Sequence, residues 1–114
     1  MTGRGDELHP PSKWKVVARD RTAATGWRDL AVQAPENLRR AWIALTSDPR
    51  SSADLSRQHR LKRDLKQVKI AGAELEQWQF EVTGGGRIWY AIDDDRKTLW
   101  VTHAGPGHPR RTDR

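Results

Sequence analysis

From Gln77 to Val82 polar and apolar side chains alternate strictly, with Trp78, Phe80 and Val82 on one side and Gln77, Gln79 and Glu81 on the other. This period of two predicts a half-buried antiparallel strand. Gly84, Gly85 and Gly86 supply a turn, after which Ile88, Tyr90 and Ile92 continue the packed side and Arg87 and Trp89 point the other way. A third alternating run, Thr98 to His103, follows a charged turn and completes a meander. Upstream the period changes. Trp14 to Ala18 alternates briefly, then Ala23, Ala24, Trp27, Leu30, Ala31 and Ala34 recur every three or four residues, predicting a helix over 20–34 with Asp20 as its N-cap. Pro35 suits a first helical position, Glu36 a first turn, and Leu38, Ala41, Trp42 and Leu45 draw the stripe of a second helix over 35–47.

The predicted fold is α+β: an antiparallel sheet of one N-terminal strand plus a C-terminal three-stranded meander, with a two-helix hairpin on one face. The helices are expected on the face bearing Trp78, Phe80, Ile88, Tyr90, Leu99 and Val101, with Trp27 and Trp42 buried in that core. Tyr90, the only tyrosine, has core parity. Residues 1–12, with Gly3, Gly5, Pro10 and Pro11 and almost no apolar residue, read as a disordered leader. Residues 13–110 form one domain and 111–114 a flexible tail.

Charge adds a partner class to this picture. Lysine and arginine number 21 against 15 acidic residues, a formal charge of +6, in a chain with six tryptophans. Such an excess points to a polyanion, nucleic acid before membrane, or to an acidic protein. Seven of the cations fall at Arg50, Arg57, Arg60, Lys62, Arg63, Lys66 and Lys69, where Leu61, Leu65 and Val68 can anchor the segment to the core. There is no cysteine, which excludes disulfides, thiolate nucleophiles and Cys-ligated zinc. No apolar run approaches the roughly 20 residues of a membrane span, and the N-terminus lacks the apolar core of a signal peptide. The expected location is the cytoplasm, with no membrane partner.

The order strand, helix, helix, basic Arg60-Leu61-Lys62-Arg63-Asp64-Leu65, strand, Gly85-Gly86-Arg87-Ile88-Trp89-Tyr90, strand resembles the RelE/ParE superfamily of bacterial type II toxin–antitoxin toxins, actinobacterial members above all. The resemblance spans residues 14–108. It implies a RelE-like fold, a cognate antitoxin from a neighbouring gene, and two branches of activity. One cleaves translated mRNA on the ribosome by attack of the 2′-hydroxyl on the adjacent phosphorus, giving a 2′,3′-cyclic phosphate without metal or other cofactor. The other poisons DNA gyrase without an established nuclease site.

For the nuclease branch the resemblance implies that Arg87 meets the scissile phosphate and that His59 stands where a general-base glutamate occurs in relatives. His103 and His108 lie where an acid or phosphate ligand is found, and Glu81 is a carboxylate candidate for the base. An imidazole can carry either proton transfer. Arg57, Arg60, Lys62, Arg63, Gln79 and Arg110 are expected to hold RNA, and Trp89 or Trp100 to offer a stacking face. By parity with Leu99 and Val101, His103 is expected to be partly buried. The histidines are too widely spaced for helical metal-ligand logic, so no metal site is expected.

Overall fold

The computed structural model describes residues 4–5 and 14–106. Apart from Arg4 and Gly5, the expected leader lies outside the described residues, as do His108, Arg110 and the C-terminal tail. Strand β1 (Lys15–Ala18) leads into helix α1 (Arg21–Gln33) and helix α2 (Pro35–Ser47). Asp20 caps α1 by accepting from the Ala23 amide at 2.9 Å, and Pro35 stands in the first turn of α2. Strands β2 (Gln58–Arg60) and β3 (Gln67–Ile70) flank a 3-10 turn at Arg63–Leu65. The meander follows as β4 (Ala73–Glu81), β5 (Gly86–Asp93) and β6 (Thr98–Pro106).

The sheet runs β1-β6-β5-β4-β2, with β3 also paired to β4. The meander is antiparallel, whereas β1 joins β6 in parallel, so the sheet is mixed. A parallel pair requires a long crossover connection, and the chain between β1 and β6, which includes both helices, supplies it. Those helices pack Ala23, Leu30, Leu38, Ala41 and Leu45 onto Trp78, Phe80, Val82, Ile88, Tyr90, Leu99 and Val101, the face that alternation predicts. Tyr90 is fully buried there. Its hydroxyl donates to the Pro49 carbonyl at 2.7 Å and accepts from Gln58 Nε2 at 3.0 Å, tying the end of α2 to the sheet.

Two expectations about this core need correction. Trp42 is 47% exposed. Leu38, Ala41 and Leu45 already fill the buried stripe of α2, and Trp42, about 100° further round the helix, reaches only its rim. There it lines a cleft of about 360 Å³ with Val16, Ala18, Ala24, Trp27 and Val101. Trp27 is half-buried against the core rather than enclosed by it.

A third difference lies on the opposite face, which alternation leaves open. Leu61 and Leu65 do anchor the basic segment, but on that other face, where they bury Trp89. Further along, Ile70 and Leu75 close over Ala91, with Val68 and Trp100 packed beside them. Half of the second face is therefore a small core in its own right.

Candidate active site

The uncovered half of the second face is organised by strand register. Across β2, β4, β5 and β6 the residues His59, Gln79, Trp89 and His103 stand directly opposite one another in one row. Glu81, Arg87 and Gly105 form the next row, with Arg57 beside Glu81, whose backbone N–H donates to the Arg57 carbonyl at 2.7 Å. Two inter-strand spacings and one row separate His59 from Arg87, which puts their backbones about 12 Å apart. Both side chains are long enough to meet a phosphodiester held between them.

The first row is hydrogen-bonded along most of its length. Trp89 Nε1 donates to Gln79 Oε1 at 2.9 Å, Gln79 Nε2 donates to His59 Nε2 at 3.4 Å, and His59 Nδ1 donates to the Arg60 carbonyl at 3.1 Å. His103 meets Trp89 edge-on, with ring centroids 5.7 Å apart and planes at 61°.

His103 reaches this row through a β-bulge. Register passes from Trp89 with His103 to Tyr90 with Val101, leaving Thr102 as the extra residue on β6. A bulge reverses side-chain parity beyond it. His103 is half-buried as expected, but on the face away from Leu99 and Val101. Thr102 is held at the bulge by donating to Gln77 Oε1, whose Nε2 in turn donates to the Leu65 carbonyl at 2.8 Å. Gln77 is thus buried by the overlying segment instead of lining an open polar stripe. A cleft of about 400 Å³ beside this point is lined by Arg19, Asp64, Gln67, Trp89 and His103 among others.

Charge in the site is unbalanced by contacts. Arg87 makes no ion pair among the described residues, neither with Glu81 opposite nor with Asp93, which is engaged by Arg96 at 3.0 Å. Arg87 Nη1 and His103 Nε2 are buried without a hydrogen-bond partner among the described residues. Burial pushes the His103 imidazole below its ordinary value, so it is neutral at pH 7.

The other anticipated residues are dispersed. Trp89, at 7% exposure, cannot offer a stacking face, because Leu61 and Leu65 cover it. Trp100 lies in the row of Gln77 and Ala91, four residues along β5 from Arg87, and its indole donates to Asp93 Oδ2 at 3.4 Å. Arg60 pairs with Trp78 in register and so projects from the helix-covered side, donating to the Lys66 carbonyl at 3.4 Å. Lys62 and Arg63 are exposed around the 3-10 turn. Arg57 stays beside the site, where Nη1 donates to the Glu81 carbonyl at 3.3 Å. Arg50, the first cation of the basic segment, is occupied by Glu76 at 2.6 Å and Asp94 at 2.7 Å. Among the described residues no cluster of three or more histidines or carboxylates could hold a metal ion.

A helical hairpin over this mixed meander sheet is the fold of the RelE toxins. The chain superposes on a metal-bound toxin from Helicobacter pylori with a TM-score of 0.57 at 14% identity, covering 82% of this chain and 94% of that one. For the intact E. coli RelBE toxin–antitoxin complex the TM-score is 0.53 at 18% identity, covering 85% of this chain and 100% of that one. The isolated E. coli RelE toxin gives 0.52 at 18% identity, covering 87% and 89%. No protein-family model and no curated protein matches the sequence.

Proposed function

We propose that this chain is the toxin of a type II toxin–antitoxin pair, acting in the cytoplasm as a metal-independent endoribonuclease on translated mRNA. The observation that carries this reading is Arg87, a guanidinium without an ion-pair partner among the described residues, set one row from a hydrogen-bonded His59 on the uncovered half of a RelE-type sheet. In the reaction His59 Nε2 takes the proton of the 2′-hydroxyl as its oxygen bonds to phosphorus. Arg87 meets the charge that develops on the phosphorane oxygens, and the 5′-oxygen leaves with a proton from an acid. His103, kept neutral by burial, is poorly suited to supply that proton, so the role falls to His108. Arg57 and Gln79 flank the RNA path. Glu81, opposite Arg87, is the alternative base. A neighbouring gene supplies the antitoxin.

Purified ribosomes programmed with mRNA test the chemistry directly. Cleavage is expected to persist in EDTA and to leave a 2′,3′-cyclic phosphate, and Arg87→Ala is expected to lower the rate by about 10²-fold or more. EDTA-sensitive cleavage, or none, counts against it. One feature favours a second reading as a non-catalytic toxin that binds a protein target such as DNA gyrase. Among the described residues the uncovered face carries Glu81 beside Arg87 and no exposed aromatic side chain, a composition better matched to a protein than to stacked bases.

A further inference from the structure

The row from Trp89 to His59 is polar in one direction only. An indole N–H can donate and never accept, so the atom of Gln79 that faces Trp89 must be its oxygen. Gln79 then presents its amide NH₂ to His59, and a donor there requires His59 Nε2 to be a bare acceptor. At the far end the Arg60 carbonyl can only accept, so His59 Nδ1 must carry the proton. The two ends agree on a single tautomer.

We propose that Trp89 is a positioning residue whose indole N–H fixes the orientation of Gln79 and, through it, the tautomer of His59 with Nε2 unprotonated. This explains why a large aromatic with an N–H donor is buried beneath Leu61 and Leu65 instead of being exposed for stacking. Packing by the two leucines holds the ring, and the rigid ring holds the amide. The Gln79 contact is long at 3.4 Å, so an incoming hydroxyl can displace it, while the Arg60 carbonyl remains on Nδ1–H to stabilise the imidazolium that results. The catalytic consequence rests on the nuclease reading above. The tautomer itself does not.

Long-range ¹⁵N–¹H correlation spectra of the full chain, recorded at mildly alkaline pH, read this out without RNA. Wild-type His59 is expected to show one tautomer, protonated at Nδ1. Trp89→Phe keeps the ring beneath the leucines but removes the donor, and should move population to Nε2–H. Gln79→Glu places an acceptor-only group against His59 and should move it further. If wild-type His59 is protonated at Nε2, or both variants keep the wild-type tautomer, the inference is wrong. On programmed ribosomes Trp89→Phe should lower the saturated cleavage rate at least about 10-fold, within the roughly 10²- to 10⁴-fold that a positioned base supplies, without changing the half-saturating ribosome concentration. An unchanged rate despite a shifted tautomer overturns the catalytic role. A wild-type protein that does not cleave overturns the proposed function instead, and the spectra still decide the positioning.

Discussion

Arg87 and His103 each hold one buried nitrogen without a hydrogen-bond partner among the described residues, and their register makes them diagonal neighbours across β5 and β6. An unsatisfied buried polar group costs about 1–3 kcal/mol, so stability alone does not explain keeping two side by side. For His103 the cost is pH-dependent. Its imidazole is pushed down by burial, so near the unfolded value of about 6.5 the unfolded chain binds more protons than the folded one. The resulting stability is complete above about pH 6.5 and is lost as pH falls through the folded-state value. Urea titrations from pH 7.5 to 5 should therefore show His103→Asn less acid-sensitive than wild type, and parallel curves would contradict this. Trp42 makes the opposite case, since an aromatic in an apolar stripe proves to be half exposed. Trp42→Ala should cost no more than about 1.5 kcal/mol by chemical denaturation, well short of the 3–5 kcal/mol typical of a buried Trp.

The helices and the meander were legible in the sequence because their signals are local. Asp20 caps, Pro35 starts, the Gly84 to Gly86 turn closes, and the alternation in β4 and β5 assigns faces correctly. What stayed hidden depends on partners remote in sequence. β2 is three residues long, too short for any period to register. The hairpin between β3 and β4 turns on Ala71 and Gly72, both at positive φ (51° and 82°), and Ala-Gly is a weaker turn signal than Asn-Gly. The bulge at Thr102 answers to Gln77, 25 residues away, so the parity of His103 could not be read from β6 alone. Leu61 and Leu65 were readable as anchors, but not the face they cover. One glycine shows how closely the elements then fit. A Cβ on Gly26 in α1 would strike the Ala104 carbonyl of β6, where backbone cannot yield as a side chain could. Gly26→Ala should cost about 2 kcal/mol and lower Tm by roughly 10 °C. A Tm within a degree or two of wild type would show that α1 is free to shift.

Across the whole molecule the two faces of one sheet are put to different uses. The helices seal one face into the main core, and the basic segment seals half of the other, so the uncovered half is narrowed to the strip holding Arg57, His59, Gln79, Glu81 and Arg87. The net charge of +6 is distributed accordingly. Arg50 is neutralised by Glu76 and Asp94, whereas Arg87 has no ion pair among the described residues and faces Gly105 in register. In the proposed nuclease such a site would attract phosphate through one well-placed cation more than through a broad positive surface. The most direct test of that claim is primer extension on cellular mRNA after induction of wild-type and Arg87→Ala proteins at equal levels. New 5′ ends within translated reading frames are predicted for wild type, with both the ends and the growth arrest lost in Arg87→Ala. Growth arrest by both proteins with no new mRNA ends in either would contradict the account and leave target binding as the better reading.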